Sequence, residues 1–179
     1  MHFYIFLDFD GVLHPAITRP EHRWASMYVL AEVLQRRPHA RVVVSSSFRE
    51  FTCVEAMQAI FPTDLQDRVV GATPMIPIGA GDVRLPGHHR EVLAWLAGNG
   101  ASDSSWLALD DDPDRYADGC RQLYLVDPNT GLTWADVVEI CGRIPNLLDP
   151  TFESTDEQLN DLAERAWAAV ARTDNTGPG

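Results

Sequence analysis

Short apolar runs alternate with longer amphipathic stretches along most of this chain. Phe3–Leu7, Arg41–Val44, Trp106–Leu109 and Gln122–Val126 are brief, mostly apolar and bounded by polar residues. Runs of this kind are expected of parallel strands covered on both faces. Between them, Ala25–Arg37, Phe51–Ile60, Arg90–Ala97 and Thr133–Gly142 carry helical patterns. Strand and helix in alternation predict a doubly wound α/β domain on a mainly parallel sheet, with helices on both faces as a three-layer sandwich. A last helix is expected over Glu157–Arg172. Ser154 and Glu157 have capping-box spacing, and Leu159, Leu162, Ala163, Ala166 and Trp167 supply an apolar stripe. The expected organisation is one domain over residues 1–150, a helix within 151–172 packed on it, and a loose polar tail over 173–179. Gly71–Gly87 is rich in proline and glycine and has no clear period. Loops this long inside compact domains are often functional.

A chain of 179 residues fits one domain that buries roughly 70% of its unfolded surface, so no disulfide or metal staple is needed for folding. Cys53, Cys120 and Cys141 are odd in number and widely spaced, which suggests neither a disulfide framework nor a zinc site. That pattern suits a reducing, cytoplasmic setting. The apolar start at Phe3–Leu7 is too short to span a membrane and lacks a signal peptide's cleavage region. A net charge of −12 repels nucleic acid and anionic membranes at long range, while leaving room for a local basic pocket. All 14 basic side chains are arginine, so a catalytic cation here is an arginine or a metal.

The polar residues that follow the strands carry the chemistry. One strand ends in Asp8-Phe9-Asp10-Gly11, a second in Ser45-Ser46-Ser47 and a third in Asp110-Asp111-Asp112. In open α/β sheets, ligands bind beyond the carboxyl ends of the strands. If these strands are neighbours, their carboxylates and hydroxyls meet in one crevice. Carboxylates packed together repel and raise one another's pKa, a cost that a bound divalent cation removes. Oxygen-only ligands favour magnesium over zinc.

The stretch Phe6–Leu13 resembles the first motif of the haloacid dehalogenase-like (HAD) superfamily, two aspartates one residue apart followed by glycine. Val42–Ser47 is similar to its second motif and Leu107–Asp111 to its fourth, and the resemblance covers roughly residues 3 to 142. More narrowly, Ser45–Arg49 and Trp106–Asp111 resemble the compact HAD domains of the Swiss Army Knife RNA-repair type. The resemblance implies a Rossmann-like fold with minimal or no cap.

It also implies roles. Asp8 would be the covalent nucleophile, forming an aspartyl-phosphate, and Asp10 the general acid and base. Gly11 would permit a tight phosphate-holding backbone. Ser46 would bind phosphate, with Ser47 or Ser45 as alternatives. The lysine usual in the third motif is absent; Arg90 is the natural substitute and Arg84 the runner-up. Asp8, Asp10 (through its backbone carbonyl) and Asp111 would hold Mg2+, with Asp110 orienting the metal shell or Arg90. Asp112 and Asp114 could support those ligands from behind.

Roughly thirty residues separate the first two motifs, too few for a large cap. An open site suits a bulky phosphorylated substrate such as a nucleic-acid end. His14, Arg19, His22, Arg23, Arg49, Arg84, His88 and His89 could rim it. The expected activity is therefore a magnesium-dependent phosphomonoesterase. A small-metabolite phosphatase, a non-catalytic binding module and a haloacid dehalogenase are the alternatives. Oligomeric state is not legible in the sequence.

Overall fold

A computed structural model describes residues 2–77, 84–102 and 105–146. The helix expected over Glu157–Arg172 and the tail lie outside the described residues. Five strands form one sheet: β1 (Phe3–Leu7), β2 (Ala40–Val44), β3 (Val69–Ala72), β4 (Trp106–Asp110) and β5 (Leu123–Leu125). Their order is β3-β2-β1-β4-β5, and every pairing is parallel. Four helices accompany them: α1 (Met27–Arg36), α2 (Val54–Gln58), α3 (Gly87–Gly98) and α4 (Trp134–Arg143). None of the described helices is long and apolar enough to cross a membrane.

Strand alternation builds two cores. Phe3, Ile5 and Leu7 of β1 share one face with Val29, Leu30, Val33 and Leu34 of α1 and with Val137 and Ile140 of α4. Phe6, Val43 and Ala108 turn to the other face and pack on Val92, Trp95 and Leu96 of α3. Successive side chains of a strand point to opposite faces, so this division follows from sequence parity alone. Trp95 meets Tyr4 and Phe6 edge-on at centroid distances of 5.0 and 5.7 Å. Such pairs add about 0.5–1.5 kcal/mol beyond the area they bury. Gly71 of β3 leaves room for the same indole, since a Cβ there would stand 3.3 Å from its nitrogen.

Arginine side chains close the helix ends. Arg37 donates through Nε to the Ile144 carbonyl at 3.0 Å and through Nη2 to the Cys141 carbonyl at 2.8 Å. Arg68 donates to the carbonyls of Ala40 and Arg37 at 3.0 and 2.8 Å. These bonds satisfy carbonyl groups that helix ends and loops leave without partners.

The structure departs from the sequence pattern at three elements. β3 falls where the pattern gave no strand, because four residues containing a glycine at a sheet edge are too short to show alternation. The helix expected over Phe51–Ile60 shrinks to Val54–Gln58, since Ser47–Glu50 winds as a 3-10 turn and Phe51 is exposed. α3 starts at Gly87 rather than Arg90, because Pro86 stops it there and the polar His88 and His89 hide its first turn from a hydrophobic pattern. The link between β1 and α1 runs only from Asp8 to Ser26 and holds one short 3-10 turn, Pro20–His22, so no cap domain stands there.

Candidate active site

The register of the sheet assembles the site. Leu7 pairs with Val44 on one side and Leu109 on the other, and Val44 pairs with Ala72. One residue further on, Asp110, Asp8, Ser45 and Thr73 form a row across the carboxyl ends of four strands. Two backbone bonds continue the register: Asp8 N to Leu109 O at 3.0 Å and Thr73 N to Val44 O at 2.9 Å. By parity the row lies on the α3 side, in step with Phe6, Val43 and Ala108. All four residues are buried. β1 and β4 are the strands between which the winding reverses, the place where open α/β sheets bind ligands.

On the β4 side the row is acidic. One oxygen from each of Asp8, Asp110 and Asp111 lies within 4.8 Å of the others. Asp8 Oδ1 accepts from the Phe9 amide at 2.7 Å, and Oδ2 accepts from Arg115 Nη1 at 2.6 Å. Burial, followed by the neighbouring Asp110 carboxylate, pushes Asp8 up to about 6, against the pull of Arg115, the Phe9 amide and the Ser46 hydroxyl. Asp111 is raised for the same two leading reasons. Asp110 Oδ2 contacts His88 Nδ1 of α3 at 3.0 Å, and its Oδ1 accepts from the Asp112 amide at 3.0 Å. Arg115 donates through Nε to Asp112 at 3.1 Å. Its burial opposes the charge, but Asp110, Asp8, Asp112 and Asp111 together raise its pKa further.

Gly11 is explained by Asp111. Its φ is +76°, a left-handed conformation, and a Cβ there would overlap the Asp111 carboxylate. Asp10 has a different partner. Its side chain is 66% exposed, and its Oδ1 lies 3.0 Å from Nε2 of His14, whose ring is 1% exposed. Trp24, held at a φ of +67°, packs edge-on against both His14 and Phe9 at 5.2 Å.

Several residues singled out in the sequence thus share the crevice, in somewhat different places from those expected. Asp8 and Asp111 join the carboxylate cluster, and Asp110 completes it. The Asp10 side chain stands outside that cluster, beside His14. Ser45 is the serine in register with Asp8. Ser46 is buried, and its Oγ also accepts from the Phe48 amide at 3.4 Å, capping the turn after β2. Ser47 is exposed. Arg90 is half-buried in the first turn of α3, and Arg84 is exposed. Arg49 reaches Glu91 of α3 at 2.5 Å. The arginine found on Asp8 is Arg115, which the sequence did not single out. Asp112-Pro-Asp-Arg115 reads as an ordinary polar turn, and only the return of that turn over β1 makes it part of the site. Thr73, Glu91 and Tyr116 carry no sequence signal for the site either, and His88, expected on its rim, reaches Asp110. Tyr116 is buried, and its hydroxyl resists ionisation because of burial and then Asp110 and Asp8.

A hard divalent cation fits this donor set. Three carboxylates supply only oxygen, and their crowding already raises Asp8, a cost that positive charge between them would cancel. No curated protein and no solved structure gives a significant match to the chain. A family model described as the HAD domain in Swiss Army Knife RNA repair proteins matches residues 4–137, which takes in the sheet from the second residue of β1 through β5 and all the site residues above. That match supports a HAD-type hydrolase. Sheet order, the row of strand-end residues and the extent of the match agree: the chain belongs to the family of HAD domains found in Swiss Army Knife RNA repair proteins.

Proposed function

We propose that the protein is a magnesium-dependent phosphomonoesterase that passes a phosphoryl group through Asp8. The observation that carries this reading is the buried Asp8 carboxylate at the end of the central strand, within 4.8 Å of Asp110 and Asp111 oxygens. Asp8, Asp111 and Asp110 would hold Mg2+, with the Asp10 backbone carbonyl as a further ligand. When bound, the ion would neutralise charge on the phosphoryl oxygens. Asp8 attacks phosphorus and the ester oxygen departs, leaving an aspartyl-phosphate that water then cleaves. Arg115 holds one Asp8 oxygen, and the Phe9 amide holds the other, so the carboxylate is fixed in orientation before substrate arrives.

Asp10 gives a proton to the departing oxygen and takes one from the attacking water. His14 positions it. The ring is buried against Trp24 and aims Nε2 at the otherwise exposed Asp10 carboxylate.

We assign a nucleic-acid 3′- or 5′-phosphate end, or another bulky phosphorylated group, as substrate. Two facts support this: the family's description names RNA repair, and no cap domain stands between β1 and α1. The net charge of −12 means that such a substrate would be gripped at its end, by local contacts, rather than drawn in at long range. The deciding experiment is phosphate release from a panel of end-phosphorylated RNA, DNA, nucleotides and sugar phosphates, with Mg2+ and with chelator. Preference for polynucleotide ends supports the reading. Faster turnover of sugar phosphates removes the nucleic-acid assignment, and inactivity on every ester removes the phosphatase.

A further inference from the structure

At the other end of the sheet, where β2 begins, the charge is reversed. The chain carries 26 acidic side chains against 14 basic ones, yet arginines gather here. Arg68 ends the 3-10 turn Thr63–Arg68 and donates through Nε to the Ala40 carbonyl at 3.0 Å. Arg41 donates through Nη1 to the same oxygen, also at 3.0 Å. Arg68 Nη2 reaches the Arg37 carbonyl at 2.8 Å, and Arg41 Nη1 reaches the Pro38 carbonyl at 3.0 Å. Among the described residues, none of Arg37, Arg41 and Arg68 forms an ion pair. Glu32 of α1 is taken by Arg36 at 2.7 Å.

Guanidinium groups meeting at one oxygen repel each other, and the carbonyls hold them without cancelling their charge. Their field reaches His39. Burial, followed by Arg37, Arg68 and Arg41, holds that ring's pKa below its ordinary value, and both ring nitrogens lack a partner. The cluster therefore has no countercharge of its own. It also has donors to spare. Nε and Nη2 of Arg41 and Nη1 of Arg68 make no hydrogen bond among the described residues and are open to solvent. Two guanidinium groups pinned to a shared oxygen, each with open N–H groups, are prepared for an oxyanion.

We propose that Arg41 and Arg68, with Arg37 adding charge, form an exosite that binds a backbone phosphate of single-stranded nucleic acid. β2 is five residues long, so its two ends stand roughly 16 Å apart. The phosphate held here is therefore not the one beside Asp8. A substrate with one phosphate fills one of the two places, whereas a polynucleotide brings phosphates to both. This inference rests on the nucleic-acid reading of the active site and goes beyond it, placing a second contact at the opposite end of the sheet. The same two facts that support that reading, the family's description and the missing cap, favour a polynucleotide over an acidic peptide.

The test is binding of a labelled single-stranded RNA with hydroxyls at both ends to the full chain, followed by fluorescence anisotropy in chelator across a salt series. Such a probe cannot be turned over. Arg41→Ala should weaken it severalfold and lower the slope of log affinity against log salt by about 0.7, the loss of one phosphate contact. Arg41→Lys, which keeps the charge, should retain most of the slope. Arg68→Ala should weaken RNA similarly and also lower Tm, since it leaves three carbonyls without a donor. If it fails to fold, Arg41→Ala decides. Arg121→Ala removes an equal charge just before β5, at the far edge of the sheet, and should leave affinity near wild type. Equal losses at Arg41 and Arg121 would reduce the exosite to diffuse charge and overturn it. So would wild-type affinity in the Arg41 and Arg68 variants, or no RNA binding by the wild-type protein. A polyglutamate peptide that binds through Arg41 where RNA does not would reassign the site to an acidic protein segment and overturn the nucleic-acid exosite. RNA bound through Arg41 by a protein that hydrolyses no ester removes the phosphatase and leaves the exosite. Ester hydrolysis with RNA affinity indifferent to Arg41 and Arg68 does the reverse.

Discussion

The two halves of the strand-end row are built on opposite electrostatic principles. On the β4 side, Asp8, Asp110 and Asp111 crowd negative charge together, with Arg115 on Asp8 and His88 on Asp110. On the β2 and β3 side, Ser45 Oγ, Thr73 Oγ1 and the Nε and Nη1 of Arg49 have no hydrogen-bond partner among the described residues, while Arg49 Nη2 is held by Glu91. One half asks for a cation and the other for an anion. A phosphoryl group bound beside a metal ion would answer both, with Asp8 between them. Each half alone is a costly arrangement for a folded protein, which is the usual mark of a site organised for a ligand rather than for stability.

The sharpest break of this comparison is at the boundary. Asp8→Asn should abolish phosphomonoesterase turnover, by roughly 10⁴-fold or more, since no other group can form the covalent intermediate. Residual turnover near wild type would falsify the nucleophile assignment. Asp10→Asn should follow, with a loss of about 10²–10⁴-fold in kcat and little change in phosphate binding. The same variant would leave a structural role for His14–Asp10 visible only as a change in Tm.

Within the acidic half, Asp111→Asn should raise the Mg2+ concentration needed for half-maximal activity about 10–100-fold, the usual scale for losing a group that holds or orients a metal. Excess Mg2+ should rescue it, and failure of rescue would remove Asp111 from the ligand set. Gly11→Ala should imitate this loss, because its methyl meets the Asp111 carboxylate and its backbone is left-handed. The conformational strain alone costs about 1–2 kcal/mol, so a fall in Tm should accompany it.

The smallest effect is a pH dependence in chelator. Asp8 titrates at about 6 in the fold against an ordinary value near 3.8. The folded state therefore binds the proton more tightly than the unfolded chain. The protonated carboxyl favours folding below about pH 4, and that advantage is lost as pH rises through 6. Metal-free protein should show Tm declining across this window. Asp8→Asn should flatten the decline, and Mg2+ should raise Tm most at the upper end. A Tm that climbs from pH 4 to 7 and does so equally in Asp8→Asn would show that Asp8 carries no such strain.

Much of this was legible in the chain. Five residues of apolar strand before Asp8 and the matching run before Asp110 announce parallel strands, and their polar ends announce the crevice, because both signals are local. Parity along β1 and β4 even assigns each side chain to its face. Fixed spacing also placed Asp8, Asp10 and Gly11 together, since one turn of backbone links them.

What the chain could not disclose is which ends lie side by side. Ser45 takes the register position beside Asp8 because Leu7 pairs with Val44, a register set by packing the two cores and not by any local preference, while the Ser46 hydroxyl still reaches the Asp8 carboxylate. Thr73 enters the row only because a four-residue edge strand, too short to carry a pattern, docks on β2. Arg115 reaches Asp8 across 107 positions of sequence and Arg49 reaches Glu91 across 42, contacts that cost loop entropy and form only when the strands between them have closed the sheet. The sequence by itself determined the elements and the chemical groups at their ends. The tertiary structure decided the partners, because register and the docking of α3 are outcomes of global packing.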